Sequence, residues 1–376
     1  MADPPDSDAA TRRYHRQQLW LSVASFGLSV AVLLAWLASG AAGALAAALD
    51  GRVPPPAVVA LMLAAVGGTS AVLTFPLDLV RGFLLPRRAG LLDQPLREWL
   101  ADRAKALALG GLLTLAAFEL FYFALARSPE WWWLWSAAAL GAGSVLLTAV
   151  VPVWIVPLFY RLTPLDDPAT RDRLLALARR VGVVAAEVAV ADFSRKGRTA
   201  NAGVVGLGRT RRILLSDTLL SGFPPDEVEV VLAHELAHHA RGHLGQGLLV
   251  QGALLLAVFA LAHQALWRAA GPLGLAGPAD PAGLPLLALV LTGLGLLATP
   301  AAAAWSRRLE READATALAV TGAPAAFVAA MERLGDLNLA ERRPHPLKQL
   351  LFATHPSLED RIALARAAER RPAEAA

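Results

Sequence analysis

Six stretches of the chain are apolar for long enough to cross a membrane. Residues 19–39, 57–79, 104–126, 132–159, 244–267 and 284–304 are each predominantly hydrophobic, and about 20 such positions in a helix span the hydrocarbon core. The first stretch exceeds the roughly 7–15 apolar residues of a signal-peptide core and is followed by further spans, so it reads as an uncleaved helix. Two long polar stretches interrupt the pattern. In the first, 167–180 repeats Leu174, Leu175, Leu177 and Ala178 at helical spacing, whereas 183–193, 200–207 and 212–215 read as strands. Pro224, Pro225 and Asp226 then make a turn into a helix whose opening acids, Glu227 and Glu229, suit its positive end. The second polar stretch begins at Ser306 and is helical, with turns at Gly322, Pro344 and Pro346.

The organisation this predicts is a mainly α, polytopic membrane protein of about six transmembrane helices. To these is added an α+β catalytic region carrying a small β-sheet. A tail over 1–18 leads into four spans over 19–160. A first soluble part covers 161–243, a transmembrane hairpin 244–304, and a second soluble part 305–368. A disordered tail closes the chain at 369–376.

Composition supports the membrane assignment: 56% of residues are hydrophobic, 18% are charged and mean hydropathy is +0.47, where soluble domains carry about 25% charged residues. Net charge is +4. The arginines sit beside apolar stretches, which marks membrane topology and argues against a nucleic-acid partner. Arg12, Arg13 and Arg16 precede the first span; Arg81, Arg87, Arg88, Arg97 and Arg103 follow the second; Arg161 follows the fourth; Arg307 and Arg308 follow the sixth. The intervening loops hold little beyond Arg52, Arg127 and Arg268. The tail, the second loop and both soluble parts therefore fall on the cytoplasmic side. The richness in Ala, Arg, Gly and Pro suggests a bacterial source, and so the bacterial cytoplasmic membrane. With no cysteine in the chain, a metal must be held by histidines and carboxylates.

His234-Glu235-Leu236-Ala237-His238 supplies such a set. Two histidines four apart share one helical face and can hold zinc, and the carboxylate between them stands beside a metal-bound water as general base. A third ligand is required. Glu310 and Asp314 lie one turn apart on the stretch after the sixth span; Glu310 can ligate while Asp314 orients a ligand histidine. A solvated helix face at a membrane surface would carry the same charges, and Glu312 reads as such a residue. Two spans separate His238 from Glu310, so the chain returns to the same side and the ligands can meet. His239 and His243 are also four apart, but no glutamate follows His239; His243 reads as supporting or interfacial. Glu119 lies inside the third span, where a carboxylate lines a polar cavity or bonds another helix.

In order along the chain, 156–165, Asn201-Ala202 with Gly206, Arg212-Ile213, 217–220, His234 to His238, Ser306-Arg307 with Glu310 and Ala313-Asp314, and Thr354-His355-Pro356 with Arg361-Ile362 together resemble the type I CAAX prenyl endopeptidases and the related HtpX-like membrane peptidases, zinc metallopeptidases with a zincin-like catalytic region. The resemblance covers about 156–362. It implies one zinc ion per chain on His234, His238 and Glu310, with Glu235 as general base. It implies His355 at the substrate or developing oxyanion, and Asn201, Ala202 and Arg361 on the substrate side, Asn201 lying on an edge strand that pairs with an extended peptide. Ala237 stands where the family often has Gly, and His239 where an aromatic is common. The eukaryotic members have seven spans against the six counted here.

The expected function is thus a membrane-embedded zinc endopeptidase acting on membrane-associated or unfolded proteins, its partners being the peptide or protein substrate and the bilayer. A membrane scaffold or transporter with a non-catalytic zinc site is the alternative; the intact Glu235 argues against it. A protease with its metal inside a span is a second, and the charged neighbours Glu227, Glu229 and Arg241 argue against that.

Overall fold

The computed structural model describes residues 5–206 and 211–374. Along the chain the helices are α1 (Pro5–Ala38), α2 (Ala41–Leu49), α3 (Pro55–Leu79), α4 (Leu85–Arg88), α5 (Leu96–Arg127), α6 (Trp132–Val150), α7 (Pro168–Arg180), α8 (Asp217–Gly222), α9 (Pro225–Ala240), α10 (His243–Ala270), α11 (Leu284–Thr321), α12 (Pro324–Leu337), α13 (Pro346–Phe352) and α14 (Leu358–Glu374). The strands are β1 (Leu162–Pro164), β2 (Glu187–Ala191), β3 (Ala202–Val205) and β4 (Arg212–Ser216). Six helical segments are long and apolar enough to span a bilayer, at the places hydropathy predicts. The protein is an integral, multi-pass, mostly helical membrane protein with one small sheet.

Two separate cores hold it together. In the spanning part, Met62, Leu125, Trp132, Phe259 and Leu287 interlock, while Val72, Leu112, Trp154, Leu249 and Leu297 point outward and are more than half exposed. Large apolar side chains facing outward along a span have lipid as their solvent. In the soluble part, Leu174, Leu177, Ile213, Leu215, Leu232, Leu236 and Phe327 pack together, each such side chain contributing about 1.5–3 kcal/mol by burial.

The sheet has the order β1-β2-β4-β3. β2 and β4 are parallel, with Val188 opposite Ile213, and the outer pairs are antiparallel. Among the described residues β3 is an edge strand, bonded to β4.

Several elements differ in extent from the sequence reading. α1 is one helix through most of the stretch assigned to the tail. The fourth span loosens after Val150 into π and 3-10 turns, because Pro152 and Pro157 cannot donate backbone bonds. β2 is five residues, shorter than the apolar run around it, and of 200–207 the structure describes a strand at Ala202–Val205, Leu207 lying outside the described residues. α2, an alanine-rich turn between spans, and β1, three residues ending in proline, have no clear signal in the sequence. The sixth span and the carboxylate stretch beyond it are one 38-residue helix, α11. α14 runs on to Glu374, into the stretch expected to be disordered; 375 and 376 lie outside the described residues.

Candidate metal centre

Two helices build the site. α9 starts with Pro225 in its first turn, where a missing N–H costs nothing, and with Asp226 and Glu227 at its positive end. Arg173 of α7 donates to Asp226 at 2.5 Å and lies 2.9 Å from Glu229, and Arg333 of α12 donates to the buried Glu227 at 2.9 Å, which fixes the helix from two sides. α9 ends at Ala240, and beyond its cap Gly242 takes a φ of 67°, open to glycine at no steric cost. The chain there turns directly into α10 and the membrane. α11 returns from the membrane and lays Glu310, Ala313, Asp314 and Ala317, all buried, against α9. Ala233 and Ala237 face this contact at 1% and 0% exposure, and Ala313 and Ala317 at 0%. Small side chains on both helices let their backbones approach, so a short glutamate arm from one reaches the histidines of the other.

His234 Nε2 and His238 Nε2 are 3.3 Å apart. Glu310 places Oε2 3.2 Å from the first and Oε1 3.5 Å from the second. One atom from each of the three residues lies within 4.8 Å of the others. His355 Nδ1 is 2.8 Å from Glu310 Oε2, yet neither it nor His234 meets that oxygen with hydrogen-bond geometry: Glu310 Oε2 is buried and without a hydrogen-bond partner among the described residues. A buried carboxylate oxygen left so is costly. A cation between it and the two imidazoles removes that cost, and two nitrogens and one carboxylate suit zinc. The residues fit the metal.

The other face of His234 is fixed. Its Nδ1 lies 2.8 Å from Asp314 Oδ1, and Arg361 holds both oxygens of Asp314 at 2.9 and 2.6 Å. The Asp314 carboxylate beside Nδ1 favours the proton on that nitrogen, so that the neutral imidazole directs its Nε2 lone pair toward Glu310. The 3.3 Å approach of Arg361 Nη2 to the same Nδ1 is then a contact between two donors. Burial alone would push His234 down, but the Asp314 and Glu310 carboxylates hold it up to about 9. Burial, with the charge of His234 beside it, pushes His238 down to about 4. Glu235 lies on the cleft side of α9; burial lifts its carboxyl above the ordinary range against the opposing pull of His234.

A cleft of 610 Å³ runs past these groups, lined by Asn201, Ala202, His234, Glu235, His355 and Arg361 among others. The structure thus lines the cleft with Asn201, Ala202, His234, Glu235, His355 and Arg361, groups His238 and Glu310 with His234, and sets Asp314 behind His234. Asn201 Oδ1 accepts from the Ala202 N–H at 2.9 Å, and Asn201 O accepts from Ser216 in β4. Ala202 and Val204 therefore present their backbone groups to the free edge of β3. His239 Nε2 already occupies the Val204 carbonyl at 2.8 Å.

The sequence reads His243 as supporting or interfacial, and it stands beside His238; Glu312 and Arg307 make contacts that the sequence reading does not contain. His243 Nδ1 lies 2.9 Å from His238 Nδ1, and its Nε2 is 3.5 Å from Glu312. Glu312, expected to be merely solvated, lies beside His243, which stands behind His238, and also pairs with Arg308; two spans separate it from His243, so no local spacing marks the contact. Arg307 donates to the carbonyls of Gln349 and Ala353 at 2.8 and 2.6 Å, and Gln349 donates to His355 O at 3.0 Å. Arg307 therefore ties down the loop that carries His355. Glu119 is half-buried on α5, apart from this cluster.

Residues 164–369 match the sequence model of peptidase family M48, and residues 5–161 match that of the CAAX prenyl protease N-terminal region, described as five membrane helices. The chain is 27% identical over 307 residues to the "Uncharacterized metalloprotease YhfN" of Bacillus subtilis, covering 81% of this chain and 72% of that one. It is 30% identical over 176 residues to "CAAX prenyl protease 1" of Saccharomyces cerevisiae, covering 46% of this chain and 39% of the yeast protein. The crystal structure of S. mikatae Ste24p superposes with a TM-score of 0.85 at 23% identity, over 96% of this chain and 89% of that one. That likeness is one of fold.

Proposed function

Because the chain belongs to peptidase family M48 and is an integral membrane metalloendopeptidase, we propose that it cleaves membrane-associated or unfolded proteins with one zinc ion held by His234, His238 and Glu310. The observation that carries the metal assignment is the clustering of His234, His238 and Glu310, with one ligand atom from each within 4.8 Å of the others and Glu310 Oε2 buried without a hydrogen-bond partner among the described residues. A zinc ion bound there supplies Lewis acidity toward a peptide carbonyl and lowers the pKa of water.

The chain's own groups would do the rest. Glu235, its basicity raised by burial, takes a proton from the attacking water and returns it to the leaving amine. His355 faces the cleft from a loop anchored through Arg307 and stabilises charge growing on the carbonyl oxygen. Ala202, on the free edge of β3, pairs with an extended substrate, and Asn201 fixes its backbone. Arg361 acts through Asp314 and also borders the cleft.

In this reading the chain divides into a spanning part, 19–160 with the hairpin 244–304, and a catalytic part assembled from 161–243 and 305–368. The arginine distribution supports a site on the cytoplasmic face of a bacterial membrane. The yeast relative's name extends the candidate substrates to prenylated CAAX proteins.

The test is hydrolysis of an unfolded protein by the detergent-purified chain and by Glu235→Gln. Retained zinc with activity lost in the variant supports the reading; equal activity in both refutes the role of Glu235.

A further inference from the structure

On the first helix, polarity is graded along one face. Arg16 lies one turn above Trp20, so the two share a face, and Leu21 and Ala24 continue downward. Trp20 is 65% exposed. Opposite these residues, Val80 and Leu85 complete a groove of 450 Å³ between the first and second spanning segments, and Arg16 and Arg88 close its polar end. Both arginines are exposed. The groove continues at that end into a second pocket of 780 Å³, with which it shares Gln17, Leu85 and Arg88. This pocket adds Arg13 and Arg342, and among the described residues Asp336 is the carboxylate that lines it, 3.9 Å from Arg342.

We propose that this groove binds an anionic phospholipid. The headgroup phosphate lies between Arg16 and Arg88, and an acyl chain runs down along Trp20, Leu21 and Leu85. The argument is one of charge and depth. An apolar slot between two spanning helices is bathed in hydrocarbon, and only an amphiphile fills it while placing a charge at its arginine end. An acidic peptide would find the cations but leave the slot unfilled. A zwitterionic lipid would fill the slot but bring a further cation to a polar end that Arg16 and Arg88 already close. The tryptophan sits at the depth where such rings mark the headgroup boundary.

The position also gives the lipid something to touch. Gly335, Ala340 and Leu358 line both the second pocket and the substrate cleft. His15 on α1 reaches Leu339 O at 2.6 Å in the same region. A headgroup held here rests against the back of the cleft wall.

The site is independent of the peptidase reading, and its test reads binding. The full chain and Trp20→Phe are reconstituted in phosphatidylcholine nanodiscs containing chain-brominated phosphatidylglycerol or, in equal amount, chain-brominated phosphatidylcholine. The difference between the two proteins isolates quenching of Trp20. The expected result is a preference for phosphatidylglycerol of about fivefold for each arginine engaged, lost in Arg16→Gln/Arg88→Gln and retained in Arg16→Lys. Molar salt, applied to the unmutated chain, reads the same interaction without substitution and must collapse the preference. Equal quenching by the two lipids overturns the proposal, and so does a preference that survives the double substitution or high salt.

Discussion

Arg361 holds both carboxylate oxygens of Asp314, Nε to Oδ2 at 2.9 Å and Nη2 to Oδ1 at 2.6 Å, and Asp314 is 1% exposed. The pair joins α14, near the end of the chain, to α11 and through it to His234. A carboxylate buried against His234 needs such a counter-charge, since on its own it would be protonated or displaced.

Asp314→Asn leaves Arg361 without that partner and replaces a carboxylate acceptor at His234 Nδ1 by an amide. Zinc affinity should fall about 10–100-fold and stability by about 3–5 kcal/mol. Chelator competition and thermal unfolding in detergent check these in turn. Unchanged affinity would show that Asp314 does not orient the ligand.

Metal binding should expel protons near neutrality. In the metal-free site His234 is held up to about 9, burial opposing and the Asp314 and Glu310 carboxylates prevailing, so it is protonated at pH 7. His238, pushed down to about 4, is already neutral there. Zinc therefore displaces about one proton per ion, and its apparent affinity should fall about tenfold per pH unit as pH drops below about 9. Calorimetry in two buffers of different ionisation enthalpy measures the proton count; a count of zero contradicts the assignment.

Arg307→Ala should separate metal binding from catalysis. It removes two charge-assisted bonds, to Gln349 O and Ala353 O, and frees the loop bearing His355. Activity should drop at least as far as in His355→Ala, where the loss of one group stabilising the oxyanion costs about 10²–10³ in kcat. Zinc content should stay at the parent value in both, by elemental analysis. Loss of zinc in Arg307→Ala would mean that the loop supports the metal itself.

His239→Phe releases the Val204 carbonyl on the free edge of β3. The freed carbonyl can accept from an extended peptide, so the expected effect is on substrate binding alone: KM falls about fivefold, the worth of one hydrogen bond, with kcat and zinc unchanged. Steady-state kinetics on one peptide decides it.

Gly197→Ala tests how the soluble part is fastened to the spanning part. A methyl group there would collide with the Leu91 carbonyl, in the turn where Lys196 O accepts from Asp93 and Gln94. The clash is with backbone, so the variant should lose at least about 1–3 kcal/mol. Its thermal unfolding in detergent reads this directly.

How much of this was legible in the sequence depends on the range of each interaction. The spans were visible because lipid demands uninterrupted apolar length, a local property. His234 and His238 were visible for the same kind of reason, since four residues on one helix fix their shared face. Glu310 was reachable by counting spans between it and His238. The relations of Arg307 to the His355 loop and of Glu312 to His243 were not, because each joins groups that only tertiary packing brings together. β1 and α2 escaped notice because three residues ending in proline, or nine mostly alanine, carry little periodicity. The bond from His239 to Val204 gives a structural reason for the unusual residue at that position.

The most direct test of the account is X-ray absorption at the zinc edge on the purified chain and on Glu310→Ala, with zinc per chain measured on the same samples. The account predicts one zinc in the parent, bound by two imidazole nitrogens and a carboxylate oxygen, and zinc lost or its carboxylate contribution gone in the variant. Full occupancy with an unchanged spectrum in Glu310→Ala, or zinc in the parent without imidazole, would contradict it.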